Sequence, residues 1–159
     1  MKKLLCILCL TLLLISATGC QLSTKNYSFY YPRAEVLYGR QDGLIAREVR
    51  EFPCREMDLE SLMILYLEGP LSQILQSPFP NGTTLIQLEV QDENLLLTLS
   101  DAFSRLEGLD RTLACASIAK TGFGLGAFTE IIITSAGKTI ILTPDTISLT
   151  DNTVVEDTP

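Results

Sequence analysis

Two pairs of alternating segments constrain the fold of this chain more than any other feature. In residues 84–90 and 95–99, apolar residues occupy every second position on either side of a polar turn at 92–94. Residues 129–134 and 138–142 form a second such pair. Alternation with period two predicts strands with one buried face. The predicted inward-facing residues are Ile86, Leu88, Val90, Leu95, Leu97, Leu99, Ile131 and Ile133.

Helical patterns separate these strands. Asp58 can cap a helix whose apolar residues at 59, 62, 63 and 66 form one stripe, and Gly69-Pro70 can end it. Residues 110–120 form a second helical pattern, and the glycine-rich residues 121–128 are predicted to be the loop after it. Ser100 is a plausible cap for a short helical segment that contains Phe103.

The order of these elements predicts the fold class. Residues 34–52 contain two further β-like runs around the hairpin signal Gln41-Asp42-Gly43, of which the second carries Leu44, Ala46 and Val49 between charged residues. Strands in pairs with helices between them favour an α+β fold. We therefore predict a single small domain with two helices packed on one face of an antiparallel or mixed sheet.

The amino terminus has the pattern of a secretory signal. Lys2 and Lys3 precede an apolar run at residues 4–15, and small residues follow it. The run is shorter than the roughly 20 apolar residues that span a bilayer. The segment Ala17-Thr18-Gly19-Cys20 resembles a bacterial lipobox, which predicts cleavage between Gly19 and Cys20 and acylation of Cys20. An ordinary signal peptide and an uncleaved anchor are the alternatives.

These features divide the chain into four predicted segments. Residues 1–19 are a lipoprotein signal peptide, 20–34 a lipid-anchored tether, 35–142 the domain, and 143–159 a polar acidic tail. The aromatic cluster at residues 27–31 is unusual for a solvated tether. It would either lie at the membrane interface or dock on the domain, and docking is slightly favoured.

Composition excludes several classes of function. The chain contains no histidine, so it cannot by itself form a Ser-His-Asp triad or a histidine-ligated zinc site. Its net charge of −7 argues against nucleic acid as a partner. We predict no cofactor, no metal and no catalytic residues.

The mixed charges of residues 47–56 are expected to form a solvated face, with a subunit contact as the alternative.

The cysteines leave one question open. Cys6 and Cys9 belong to the predicted signal peptide and Cys20 to the lipid anchor, so Cys54 and Cys115 remain. Outside the cytoplasm these two could form a disulfide. The alternative is that both are small buried residues with free thiols.

The segment between Leu65 and Phe103 contains a set of motif residues, namely Leu67, Gly69, Pro70, Leu75, Pro78, Pro80, Gly82, Thr83, Leu97, Leu99, Ser100 and Phe103. As a set they resemble the GerMN domain of sporulation and spore-germination lipoproteins. The resemblance extends over Val36 to Leu142 and includes the Gly-Lys turn at Gly137. In this sequence the turn at 92–94 lacks the usual glycine, and there is one domain copy where some relatives have two.

The resemblance implies a structural role for these motif residues and a function for the domain. The fold would be similar to the ring-building motifs of sporulation and secretion channels, which pack helix face against sheet face. The expected function is scaffolding or assembly in sporulation, germination or cell-envelope complexes, on the extracytoplasmic face of a bacterial membrane. The expected partners are lipid, through Cys20, and other proteins or further copies of the chain. A lipoprotein that senses cell-wall fragments or modulates a membrane receptor is the alternative.

Overall fold

The computed structural model describes residues 24–34, 43–53 and 56–145. The predicted signal peptide, Cys20, Cys54 and residues 146–159 of the predicted acidic tail lie outside these residues. The elements are β1 (Thr24–Pro32), β2 (Ile45–Pro53), α1 (Leu59–Leu67), β3 (Leu85–Gln91), β4 (Asn94–Leu99), a 3-10 turn (Phe103–Arg105), α2 (Gly108–Leu125), β5 (Glu130–Ser135) and β6 (Lys138–Leu142).

Four of the strands form a mixed sheet in the order β3-β4-β5-β6. The outer pairs are antiparallel, whereas β4 and β5 run parallel. The alternation predicted for β4 and β5 is confirmed, because residues 95, 97, 99, 131 and 133 are buried. The prediction is wrong for Ile86 and Val90, which are exposed. Both lie on β3, which is at the edge of the sheet and has an irregular register near Leu85.

The other two strands form a separate antiparallel sheet. β1 lies within the segment that the sequence analysis assigned to a tether, so that assignment is wrong for residues 24–32. Its aromatic residues alternate inward, and Tyr27, Phe29 and Tyr31 are buried. Docking of this cluster on the domain is thus confirmed. The first run of the predicted hairpin, before Gln41-Asp42-Gly43, lies outside the described residues, and β2 pairs with β1 instead.

The first helix matches its prediction. α1 starts after Asp58, whose carboxylate accepts a hydrogen bond from the backbone N–H of Ser61 at 2.8 Å. The helix buries Leu62, Met63 and Tyr66, which are part of the predicted stripe. This side-chain cap pairs one of the otherwise unpaired N–H groups in the first turn.

The second helix is longer than predicted. α2 continues to Leu125 through the glycine-rich segment that was expected to be a loop. A Cβ atom at Gly122 would lie 2.5 Å from Cδ1 of Ile131 and 3.5 Å from Cδ2 of Leu95. Gly122 therefore lets the helix approach the sheet closely, which explains why a poor helix former is found inside a helix.

One hydrophobic core joins both helices, β1 and the inner face of the four-stranded sheet. The opposite face, which carries Leu96, Thr98, Ile132 and Thr134, is only partly covered. The helices therefore lie on one face, as predicted, and the α+β class is confirmed with the strands divided between two sheets. Within the described residues, no helix is both long and apolar enough to cross a membrane.

Candidate functional site

Arg50 is a buried cation that joins β2 to the end of α1. Only 8% of the residue is exposed, and its guanidinium lies 4.9 Å from the ring centroid of Phe29. It donates hydrogen bonds to the carbonyl oxygens of Leu65 at 3.2 Å and Gly69 at 2.6 Å. A further hydrogen bond reaches the Tyr31 hydroxyl at 3.2 Å. Because the last carbonyls of a helix lack internal partners and carry partial negative charge, Arg50 stabilises the end of α1.

Glu48 extends this arrangement to the segment after α1. Its carboxylate accepts hydrogen bonds from Nε of Arg50 at 2.7 Å and from the backbone N–H groups of Leu71 and Ser72 at 3.0 and 2.9 Å. The side chain is 10% exposed. Burial alone would raise the pKa of Glu48, but the N–H of Ser72, the guanidinium of Arg50 and the N–H of Leu71 together lower it.

This lowered pKa predicts a pH-dependent stability. Because the folded pKa lies below the ordinary value of 4.5, ionised Glu48 stabilises the fold fully above that value and progressively less as the pH falls through the folded pKa. We expect Glu48→Gln to lower the free energy of unfolding by about 1–3 kcal/mol near neutral pH, with a smaller difference in acid. Urea unfolding of both proteins across this pH range measures the effect.

A matched control is available on the same strand. Glu51 lies on the exposed face of β2, so Glu51→Gln is expected to change stability by less than about 0.5 kcal/mol. If the difference between Glu48→Gln and wild type stayed constant with pH, the assigned role of the Glu48 carboxylate would be wrong.

Aromatic hydroxyls complete the buried cluster. The Tyr31 hydroxyl donates to the carbonyl oxygen of Tyr66 at 2.9 Å, and the Tyr66 hydroxyl donates to the carbonyl oxygen of Tyr30 at 3.1 Å. Burial raises the pKa of both Tyr31 and Tyr66 above the ordinary value. Both hydroxyls are therefore protonated hydrogen-bond donors, and this cluster holds β1 and α1 together.

A groove of about 470 Å³ lies beside this cluster, along the edge of β2 that faces away from β1. It is lined by residues 48–52 and by Leu71 and Ser72. Consecutive strand residues point to opposite faces of a sheet, so a cavity that contacts five in a row must lie at the edge of the strand. Val49 and Leu71, which line the groove, are 47% and 78% exposed. The groove therefore combines an open strand edge with exposed apolar side chains.

The motif residues at 80–83 and 100 are joined by side-chain hydrogen bonds. The Ser100 hydroxyl donates to the carbonyl oxygen of Gly82 at 2.8 Å and accepts from the N–H of Thr84 at 3.0 Å. The Thr83 hydroxyl donates to the carbonyl oxygen of Pro80 at 2.8 Å. Ser100 thus links this turn to the end of β4. It is not the helix cap that was predicted, because the 3-10 turn that buries Phe103 has no side-chain cap.

The proline-rich segment between α1 and β3 is partly packed. Gly69 has a φ of 103°, which L-residues rarely adopt, and Pro70 follows it. Leu75 and Phe79, which flank Pro78, are buried. The spacing of Leu71 and Ile74 relative to Leu75 and Phe79 predicts burial, yet both are exposed. The segment is therefore a fixed structural connection that leaves two apolar side chains on the surface.

The remaining predicted positions are spread over the domain. Leu99 is buried at the end of β4. Ala136 and Gly137 both have positive φ in the two-residue turn between β5 and β6, as expected for a tight hairpin. Cys115 lies on α2 as a free thiol whose pKa is raised by burial. Its candidate disulfide partner, Cys54, lies outside the described residues, as do Gly19 and Cys20.

A second surface pocket, of about 230 Å³, lies between the 3-10 turn, α2 and β6. It is lined in part by Arg111, Lys138 and the hydroxyl-bearing Ser104, Ser135 and Thr139. Among the residues that the structure describes, no group of three or more acidic or cysteine side chains is arranged to hold a metal ion.

The described site was largely missed by sequence reasoning. The charges of β2 were expected to form a solvated face, whereas Arg50 is buried and the Glu48 side chain is only 10% exposed. The apolar Val49 is exposed instead. Strand alternation does place Glu48 and Arg50 on the same face as Ala46 and Phe52, and this pattern is the signal that could have located them.

The fold and the site define a small α+β domain with a buried Glu48–Arg50 pair and an open groove on β2. Neither a scan of protein-family models nor a search of curated proteins finds a match for the sequence. Among solved structures, the tandem GerMN domains of the sporulation protein GerM from Bacillus subtilis are similar, with a TM-score of 0.50 and 11% identity. A candidate lipoprotein from Clostridium perfringens gives a TM-score of 0.45 at 16% identity.

The comparison with GerM covers 77% of this chain and 42% of that structure, and the comparison with the Clostridium protein covers 77% and 89%. The chain therefore spans less than half the length of the tandem-domain structure. The likeness to GerM shows a GerMN-like fold. The resemblance inferred from the motif residues is thus confirmed at the level of the fold.

Proposed function

We propose that the chain is a lipid-anchored lipoprotein whose GerMN-like domain binds other proteins on the extracytoplasmic face of a bacterial membrane. Its role would be scaffolding or assembly in sporulation, spore germination or cell-envelope complexes. The GerMN-like fold carries this proposal, because the similar structure belongs to a protein of sporulation. The lipobox-like sequence that ends at Cys20 supplies the anchor.

The surface of the domain supports a role in protein binding. The groove along β2 is open and is bordered by exposed apolar side chains at Val49 and Leu71. Unpaired strand edges readily accept a further strand from a partner. The buried Glu48–Arg50 pair fixes the position of Leu71 relative to β2, since Glu48 binds the backbone of Leu71 directly. The binding surface would therefore be rigid before a partner arrives.

The second pocket favours the alternative function of ligand sensing. Arg111 and Lys138 place two cations beside hydroxyl groups, a combination suited to a carboxylate such as that of a cell-wall peptide. Its volume of about 230 Å³ lies below the roughly 300–1,000 Å³ that is usual for small-molecule sites. Protein binding is therefore the better supported of the two functions.

Replacement of the predicted lipid-bearing cysteine tests the anchor. We expect Cys20→Ala in the full-length protein to abolish both membrane partitioning after cell fractionation and the incorporation of a labelled fatty acid. The physical reason is that two or more acyl chains hold a protein on a bilayer stably, whereas the domain alone offers no equivalent anchor.

Cys115→Ala is the matched control, since Cys115 is half-buried in α2. It should leave partitioning and labelling unchanged. Retention of the Cys20→Ala protein in washed membranes, without fatty-acid label, would contradict the anchor.

Crosslinking of intact cells that express the wild type or Cys20→Ala separates scaffolding from sensing. Scaffolding predicts covalent protein adducts that depend on the anchor and that mass spectrometry identifies as envelope proteins. Recovery of a bound small molecule with no protein adduct would favour sensing and would contradict scaffolding.

A further inference from the structure

Among the residues that the structure describes, the second edge of β2 has no strand partner. On one side β2 pairs with β1 over nine residues, and no other described strand pairs with it. The groove of about 470 Å³ runs along the open side. An exposed edge of this length presents a row of backbone N–H and C=O groups to a partner strand.

The sequence of β2 is complementary to itself when it is read in the opposite direction. Residues 45–53 read IAREVREFP, with Val49 at the centre. In an antiparallel pair of two such strands centred on Val49, Arg47 faces Glu51 and Glu48 faces Arg50, so each charged residue faces one of opposite sign. The apolar Ala46 faces Phe52.

We propose that a second copy of the chain pairs with this edge, β2 against β2, about a twofold axis at Val49. The two small sheets then join into one sheet of four strands in the order β1-β2-β2-β1. Such an interface is isologous and closes as a dimer, so it leaves no free β2 edge for further growth. The proposal names a partner for the interaction surface of the proposed function, but it does not depend on the lipid anchor.

Charge pairing favours this register over those in which the twofold axis is shifted by one residue along β2. A twofold axis centred on Glu48 or on Arg50 would set that residue directly against its own copy. Like charges directly opposite each other in a sheet are unfavourable, whereas opposite charges stabilise the pair. Arg47 and Glu51 are exposed on one face of β2, so their pairing across the interface mainly fixes register.

In this arrangement the exposed apolar side chains at the edge of β2 would become buried. Val49, which is 47% exposed, would face Val49 of the second copy. Leu71 lies beside Glu48, because its N–H binds that carboxylate, and so it borders the space that the second strand would occupy. Removing Val49 and Leu71 from water would favour association.

Thiol crosslinking of the full-length protein in isolated membranes tests the pairing. The test protein carries Val49→Cys in a background of Cys54→Ala and Cys115→Ala. Its controls carry Ile74→Cys or Val90→Cys, which are exposed apolar positions that do not line the groove. Residues directly opposite in an antiparallel pair have Cβ atoms about 5 Å apart. We therefore expect a short thiol crosslinker to yield several times more covalent dimer with Val49→Cys than with either control.

A charge exchange tests the register. Arg47→Glu or Glu51→Arg alone would set like charges opposite each other at two symmetric positions, and we expect about a tenfold loss of dimer affinity. The double variant exchanges the charges and should restore crosslinking at Val49→Cys to the level of the unexchanged protein. Because both residues are exposed, these changes are not expected to impair folding.

Two results would overturn the proposal. One is a yield at Val49→Cys no greater than at the controls, and the other is a double variant that crosslinks as poorly as the single ones. Repeating the experiment with the Cys20→Ala protein, which is expected to leave the membrane, separates this proposal from the anchor. If the Cys20→Ala protein forms the dimer without membrane association, the β2 pairing is supported independently of the lipid anchor.

Discussion

The variant Arg50→Met is expected to unfold at a markedly lower urea concentration than the wild type, with a loss of about 3–5 kcal/mol in the free energy of unfolding. Arg50 supplies the hydrogen bonds to the carbonyl oxygens of Leu65 and Gly69 and pairs with Glu48. Methionine fills a similar volume but donates no hydrogen bonds and carries no charge. The variant would therefore leave one largely buried carboxylate and two carbonyls without their cationic partner.

Arg47→Met is the control for this experiment, because Arg47 lies on the exposed face of the same strand. We expect it to change the free energy of unfolding by less than about 0.5 kcal/mol. The measurement is urea unfolding of residues 20–159, the predicted mature chain, with Cys20→Ala for solubility. Equal stabilities for the two methionine variants would contradict the structural role of Arg50.

The sequence predicts the four-stranded sheet well because hydrophobic burial there follows a local period. The leucines of β4 and the isoleucines of β5 alternate inward, as strands with one covered face must. The end of α1 is likewise signalled by Gly69-Pro70. These features depend on neighbours in the chain, so a single sequence contains the information.

Other features depend on contacts that are distant in sequence. The glycine-rich end of α2 is typical of a loop, yet it forms a helix because Gly122 allows close approach to Ile131. Arg50 resembles a solvated charge until the carbonyls at the end of α1 are placed beside it. Edge position, which exposes Ile86 and Val90 on β3, is a property of the assembled sheet. Alternation along β2 could have placed Glu48 and Arg50 on its inner face, but their partners at the end of α1 are contacts distant in sequence.

The position of β1 changes the expected geometry of an anchored chain. With a tether through residue 34, the domain would have been free to move away from the membrane. β1 starts at Thr24, so residues 21–23 alone separate it from Cys20. At roughly 3.3–3.6 Å for each fully extended residue, three residues can span at most about 10 Å. If Cys20 carries lipid as proposed, the folded domain would be held against the bilayer surface, and its partners would have to reach it there.

Phe29→Ala is expected to lower the free energy of unfolding by about 3–5 kcal/mol, because it removes a fully buried aromatic side chain from the core. Phe29 stacks on Tyr66 with ring centroids 6.0 Å apart and lies beneath the guanidinium of Arg50. Loss of the ring would leave a cavity where β1 meets α1 and would remove the cation–π contact. Urea unfolding of the same protein, residues 20–159 with Cys20→Ala, measures the loss.

Ser28→Ala changes the neighbouring residue, which is only partly buried and lies on the opposite face of β1. It should shift the free energy of unfolding by less than about 0.5 kcal/mol. If β1 were a tether, neither substitution would change the free energy of unfolding, since residues outside the folded domain do not contribute to its stability. A large effect of Phe29→Ala beside a negligible effect of Ser28→Ala would therefore establish that the domain begins in β1. Equal, small effects would instead show that β1 is a tether, which would leave the domain free to move relative to the membrane.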